Sequence, residues 1–506
     1  MFGWPWQDSR KKIGCGVVVA IAFLPRPVFA QFPEPDAITA VLNAQTPQTD
    51  LTAVPVAPTL KQPAAEAHAP EAALPKPAPE ELYLSKDPQP TFSAETVDLT
   101  EEAARRYLTI VEAGGWPAIP TNVKLVTGVS GPAVALLKRR LIVTGDLDAA
   151  AEPGDTYDAT VEAAVKHYQE SQGLEQTGAV GGQTLRALNV TAIQRYNQLL
   201  ASAKRLRATK FGFGPRYVVV NIPSANVEAI EAGKVVRRYI AVVGKTDHPS
   251  PTVEAKITQI NLNPTWTVPA SIVKNEMIPH MQANPGYLAK EHIRIFDQTG
   301  AEINPTTINW ATNSATAFTL RQDSGASNSL GTLRIDMPNK DAVYMHDTPS
   351  KGLFSASVRF GSHGCVRVSK VQDLAAWLME NNTSAEQASA NPAAPNPSGW
   401  SPEMISAAIA LGTRMDIKLT KPVPVAWVYL TGYATPDHVA HFRNDVYDLD
   451  SGVDTTASIP TPRQQAPVAT IAASPSKPSA APAPAPKAPV AKSFVERDAR
   501  PIPQAE

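Results

Sequence analysis

The run Ser362-His363-Gly364-Cys365-Val366-Arg367 holds the one cysteine of this 506-residue chain that lies outside its N-terminal apolar segment. In an exported protein such a thiol has no internal disulfide to account for it. A sulfur nucleophile reacts as the thiolate, and a neighbouring imidazole can take its proton. Two histidines qualify. His363 is two residues away, on the same side of an extended segment as Cys365, and His346 follows the strand-like Val343-Tyr344-Met345. Spacing alone does not choose between them. Two other readings compete, an inert buried cysteine and a zinc site. The second needs a further ligand, and His280, His292 and Asp347 have no ligand spacing that supplies it, so no metal is assigned. On the C-terminal side Ser369 and Gln372 form a capping-box pattern ahead of Leu374, Trp377 and Leu378, which places Cys365 just before a helix.

Upstream of this run the texture is that of strands from Arg216 onward. Residues 217–222, 235–243 and 253–262 are apolar or alternating, with turns at Gly233 and Gly244. Residues 271–281 are helical in period, with Pro279 expected to kink or end the helix. Strand-like segments return at 293–296, 332–335 and 342–345. The pattern predicts a mainly β domain over 213–430 with an inserted helical cap at 269–330 and a Pro- and Ala-rich surface loop at 381–399.

Further out, Thr100 precedes Glu101 and Glu102 as a helix start that Gly114 would end, and residues 191–210 repeat apolar side chains at helical spacing. These segments, 96–128 and 191–212, are expected to pack as a helical scaffold. Between them, 129–190 reads as a small unit of helices. Pro132 opens the first, Val161, Val165 and Tyr168 mark the second, and Gly173, Gly178 and Gly181 punctuate a loop before Leu185 and Leu188.

Residues 31–95 and 451–506 are rich in Pro and Ala and poor in apolar runs, so both are expected to be disordered. At the start, Arg10, Lys11 and Lys12 precede an apolar stretch over 13–24, and Val28-Phe29-Ala30 fits a cleavage site before Gln31. Residues 1–30 are read as a signal peptide, with Cys15 inside it. Arg26 leaves a retained membrane anchor through 13–24 as the alternative. The 46 basic and 47 acidic residues nearly cancel, so no basic footprint points to nucleic acid, and glycine patterns for nucleotides are absent.

Tyr344-Met345-His346 with Ser362-His363-Gly364-Cys365-Val366-Arg367, the opening Arg216-Tyr217-Val218-Val219-Val220-Asn221-Ile222-Pro223 and the stretch Asn263-Pro264-Thr265-Trp266-Thr267-Val268-Pro269 resemble the YkuD-type L,D-transpeptidases. The order of parts is similar to that of the larger Gram-negative members, and 129–190 resembles the three-helix peptidoglycan-binding domain. The resemblance implies a multidomain chain: a mainly β catalytic domain with a cap, a helical scaffold and a small wall-binding unit. It implies Cys365 as nucleophile, His346 as general base, His363 as a pocket-shaping residue, and backbone amides at Gly364 and Cys365 as an oxyanion hole. Arg367 would face a substrate carboxylate or support its loop. Trp266 and Tyr344 would be pocket walls. One departure is Ser324, where members commonly carry proline ahead of the glycine matched by Gly325; Asn328, Leu330 and Gly331 are kept.

The implied reaction joins two diaminopimelate residues of peptidoglycan stem peptides through a cysteine thioester and releases D-Ala, in the periplasm and without a cofactor. Glycan strands and wall-synthesis enzymes are the implied partners, and carbapenems the implied inhibitors. The same thioester also serves an L,D-carboxypeptidase or a ligase of wall peptide to protein. A non-catalytic wall-binding scaffold is the alternative of another class.

Overall fold

The computed structural model describes residues 84–150, 154–356, 358–382 and 400–451. The leader with Cys15, residues 31–83, the loop from 383 to 399 and the tail beyond 451 lie outside the described residues.

Helix α1 (Thr96–Glu112) starts earlier than Thr100 and has no side-chain cap. Thr100 is instead buried, and its hydroxyl accepts the Ala434 N–H at 3.2 Å. Helix α5 (Ala192–Ala208) opens with a capping box between Thr191 and Gln194 and packs along α1, with Arg207 paired to Glu101. The scaffold has a third member that the sequence did not announce. A hairpin of β14 (Gly432–Ala434) and β15 (Ala440–Phe442) places Phe442 in one core with Tyr107, Ile110, Tyr196 and Leu199. Two-part strands this short carry almost no periodic signal.

Between α1 and α5, helices α2 (Pro132–Thr144), α3 (Ala159–Ser171) and α4 (Gly182–Leu188) close around Leu137, Leu141, Tyr157, Val161, Val165 and Leu188. Pro132 occupies the first turn of α2, where its missing N–H would be unpaired anyway. Asp158 caps α3 by accepting from Val161 N at 2.9 Å.

The β-rich region is a ring of strands. In sheet order β3 (Lys234–Gly244), β12 (Val366–Val368), β10 (Met345–His346), β9 (Leu333–Asp336), β4 (Val253–Leu262), β13 (Met415–Val428), β1 (Arg216–Asn221) and β2 (Asn226–Glu231) are joined, and β2 also pairs with β3. That last pairing closes the ring, while β11 (Phe360–Ser362) adds to β3 outside it. Inward side chains such as Val218, Ile260, Ile335, Met345 and Val366 form a single core with Leu374, Trp377 and Leu378 of helix α9 (Val371–Met379) and Ile405 of helix α10 (Pro402–Ala410). The outer face of β1 and β13 is covered by Leu206 of α5 and by Phe92.

Phe92 belongs to a stretch expected to be disordered. Residues 84–95 are held instead by Arg238, which donates to the carbonyls of Ser85 and Asp87, and by Glu228, which accepts from Thr91 N and Oγ1. Composition misjudged this segment because its partners lie some 140 residues away. The capping box at Ser369 and Gln372 also fails. Lys370 precedes α9 at φ 48 without a side-chain cap, and β12 separates Cys365 from that helix.

The cap is mixed rather than helical. Its helical stretch runs through α6 (Ala270–Ile272), a π-helical segment (Val273–Met277) and α7 (Ile278–Ala283), so Pro279 neither ends nor breaks it. The π turn lies directly ahead of the proline, whose N–H is missing from the ladder. A sheet of β5 (Trp266–Thr267), β8 (Thr319–Gln322), β6 (Ile293–Phe296) and β7 (Glu302–Ile303) backs the helices around Ile272, Met277, Leu288, Ile295 and Leu320.

Candidate active site

β10 and β12 run parallel, with Met345 opposite Val366 and His346 opposite Arg367. Alternation then sends Met345 and Val366 into the core and leaves Tyr344, His346, Cys365 and Arg367 on the outer face. The row continues across the sheet, because His346 stands opposite Arg334 of β9, Arg334 opposite Asn261 of β4, and Asn261 opposite Asp416 of β13. A band of polar side chains thus crosses the outer face, and the cap stands over it. The Arg334 guanidinium lies 4.3 Å from the Tyr344 ring centre and is paired with Asp336.

His346 is buried, and its Nδ1 has no hydrogen-bond partner. Burial, helped by the Arg367 charge, pushes its pKa down to about 3, against the Asp347 and Leu330 carbonyls that favour the proton. Burial also raises the half-buried Cys365 thiol above its ordinary value, opposed by a hydrogen bond from the Tyr344 backbone and by Arg334 and Arg367. The resting pair is therefore a neutral thiol and a neutral imidazole, not the thiolate and imidazolium that the sequence suggests.

His363 and His346 take different places. His363 leaves the sheet and its Nε2 meets Glu276 of the cap's π turn at 2.5 Å, while its ring packs 5.2 Å from that of His248. It ties the cysteine loop to the cap. Gly364, at φ 107, needs glycine, and its carbonyl accepts Ser250 Oγ at 2.7 Å. Its amide donates to Ser362 Oγ at 3.2 Å, and the Cys365 amide has no protein acceptor among the described residues. Ser362 Oγ in turn donates to the Cys365 carbonyl at 2.5 Å. Tyr447 braces the loop from behind, donating to the Gly244 carbonyl at 2.6 Å and accepting Ser250 N at 3.2 Å. The catalytic unit therefore reaches past 430.

Two cavities meet at Cys365. One of about 230 Å³ holds His346, Arg367 and Glu276; the other, about 810 Å³, runs under Trp266 towards Arg334, Asp336 and Arg414. Trp266, Tyr344, Leu330 and His363 line both. Arg367 is depressed by burial and its Nε is unpartnered, which leaves a guanidinium facing the first cavity rather than locked into the loop. Leu330 is set by the retained turn: Asn328 Oδ1 accepts Leu330 N at 2.8 Å, and a Cβ on Gly331 (φ 63) would sit 2.6 Å from Asp347. Ser324 in place of proline leaves this turn intact.

Of the zinc candidates, His280 stacks on Tyr287 at 4.5 Å and Asp347 pairs with Lys351. The site residues missed by sequence are Glu276, Arg334, Ser250 and Tyr447. None carries a local pattern, since each acts through a contact made across the fold.

Parts of the chain are similar to known proteins. Residues 215–413 match the YkuD family, described as "L,D-transpeptidase catalytic domain", and residues 130–188 match the family described as "Putative peptidoglycan binding domain". A Haemophilus influenzae protein described as "Putative L,D-transpeptidase" is 27% identical over 259 residues, 51% of this chain and 49% of that protein. The chain thus spans about half the length of this curated relative. Among solved structures, an L,D-transpeptidase from Mycobacterium smegmatis is 12% identical, covers 42% of this chain and 58% of its own, and has a TM-score of 0.19. One from Stackebrandtia nassauensis is 14% identical, covers 50% and 85%, and has a TM-score of 0.21. An LD transpeptidase in complex with imipenem is 12% identical over 42% and 59%, with a TM-score of 0.20. Sequence, not these superpositions, carries the assignment: the chain joins a YkuD L,D-transpeptidase catalytic domain to a domain of the peptidoglycan-binding type.

Proposed function

We propose that Cys365 attacks the carbonyl between a diaminopimelate residue and a terminal D-Ala of a peptidoglycan stem peptide, forming a thioester and releasing D-Ala. The side-chain amine of a second diaminopimelate then takes the acyl group. In the first half the C–S bond forms and the amide C–N bond breaks, and the thiol proton passes by way of His346 Nδ1 to the leaving amine. In the second half the incoming amine gives its proton to the same nitrogen, which returns it to the departing sulfur. A neutral imidazole beside a neutral thiol suits such a relay. The Cys365 amide receives the oxyanion each time.

The observation that carries transfer over hydrolysis is the meeting of two cavities at one sulfur. Arg367 in the smaller suits a donor carboxylate, and the larger leaves room for an acceptor strand. The cap covers the junction and keeps water from the thioester. L,D-carboxypeptidase action and ligation of wall peptide to a protein use the same intermediate, with water or a protein amine as acceptor. The reaction belongs outside the cytoplasm, with export through the N-terminal segment. Carbapenems, whose strained lactam carbonyl invites the same attack, would acylate Cys365.

The test is incubation of the purified chain with disaccharide tetrapeptides and mass analysis of the products. A diaminopimelate-linked dimer that vanishes in Cys365→Ala is expected. Tripeptide alone assigns carboxypeptidase action, and no acyl-enzyme mass from a folded protein overturns both.

A further inference from the structure

A third cavity, of about 270 Å³, shares no lining residue with the two at Cys365. Its walls come from five parts of the fold: the end of α3 with α4, Arg195 of α5, the strand ring beside Ser224, Asn226 and Arg359, the segment after β15, and Ser85. Four arginines line it, Arg186, Arg195, Arg359 and Arg443, and no carboxylate does. Among the described residues Arg186, Arg195 and Arg443 form no ion pair.

Two of these cations are held in place. Arg443 donates to the carbonyls of Ser171 at 2.9 Å and Phe442 at 2.7 Å and lies against Gly173, where a Cβ would come within 2.8 Å of it. Arg195, only 5% exposed, donates to Gln198, Gln172 and the Ala187 carbonyl, and its guanidinium lies 4.5 Å from the Phe442 ring centre. Gln198 also donates to the Arg443 carbonyl at 2.8 Å, which joins the two sites. Neutral acceptors offset the desolvation of a buried cation only in part, and an anion would complete it. The remaining polar groups are the amides of Gln172, Gln183, Asn226 and Asn444 and the hydroxyls of Ser85 and Ser224, which suit hydroxyl and amide groups, and Leu174 and Phe442 offer apolar faces.

We propose that this cleft binds a carboxylate-bearing glycopeptide, holding one wall strand on the three-helix unit and the catalytic ring together while another occupies the cavities at Cys365. The assignment rests on the wall-polymer reading above. It differs from an ordinary groove on the three-helix unit in being completed by Arg359 and Arg443 of other parts.

The experiment is calorimetry on the full chain carrying Cys365→Ala, titrated with disaccharide tetrapeptide, with a neutral chitin oligosaccharide and inorganic phosphate as separate arms. Two binding steps are expected. Arg186→Glu with Gln183→Glu, both on the surface of the unit, should weaken one step roughly tenfold or more through charge reversal at the cleft. Arg367→Gln should weaken only the other. In the protein with Cys365 intact, Arg186→Glu should keep the parent's melting temperature, so that a lost binding step is not a loss of fold. A single step that ignores Arg186→Glu, equal binding of the neutral oligosaccharide, or binding of phosphate alone overturns the inference. Failure of the wall-polymer reading is seen separately, as absence of any acyl-enzyme or dimer.

Discussion

The inner and outer faces of the strand ring are made from alternating residues of the same strands, yet their energetics are opposite. Leu333, Ile335, Met345, Val366 and Val368 are wholly buried in the inner core, where each apolar side chain contributes about 1.5–3 kcal/mol. Their neighbours Arg334, His346 and Arg367 face outward, and each has a buried nitrogen without a partner. Such a group costs about 1–3 kcal/mol relative to a satisfied one. The contrast teaches that at β9, β10 and β12 the apolar burial lies on one face and the unpartnered polar nitrogens on the other.

The strongest way to break the comparison is at the sulfur. Cys365→Ala should lower acyl transfer by roughly a thousandfold or more while leaving the melting temperature within a degree or two, since only a half-buried thiol is removed. A stability loss comparable to a core truncation would mean that the outer face is structural after all. His346→Gln should lower turnover by about 10²–10⁴-fold. It should also flatten the acid limb of stability. His346 takes its proton near pH 3 in the fold but near roughly 6.5 when unfolded. The unfolded state binds more protons between these values, so stability is full above about pH 6.5 and falls as pH drops towards 3. His441, buried and displaced in the same direction, adds to that limb. Melting curves from neutral to acid pH measure the slope, and an identical slope in His346→Gln would sink the neutral-imidazole account.

Arg367→Met sharpens the contrast. It removes a depressed cation and its unpaired nitrogen, so the variant should melt no lower than the parent while losing about 10–100-fold in transfer through the lost carboxylate contact. Its inner-face counterpart, Met345→Ala, should cost about 2–5 kcal/mol in denaturant unfolding and affect rate only through stability. The smallest effect is expected at the cap. Glu276→Gln weakens the His363 contact and should raise the ratio of tripeptide to dimer by a few-fold, about the effect of one exposed charge pair, in a product assay. An unchanged ratio removes His363 from any role in closing the cap.

Much of this was legible along the chain. Cys365, His346 and His363 stand out because a lone thiol near imidazoles is rare and their chemistry is intrinsic. Pro132 and the periodic apolar residues of α3 and α5 announce their helices by local sterics. The illegible parts depend on distant partners. Residues 84–95 look unstructured until Arg238 and Glu228 hold them, and Thr100 looks like a cap until the hairpin at 432–442 covers it. The two-residue strands β5 and β7 give the cap a sheet that no period reveals.

Sequence by itself determined which groups can react, a single thiol with two candidate bases, because bond-making capacity belongs to side-chain type. The tertiary structure alone decided where each of the two histidines sits and what surrounds His346. Register put His346 on the cysteine's face beside Arg367, and the contact with Glu276 carried His363 to the cap. Burial then kept both imidazole and thiol neutral, because the free energy of an ion depends on the medium that surrounds it.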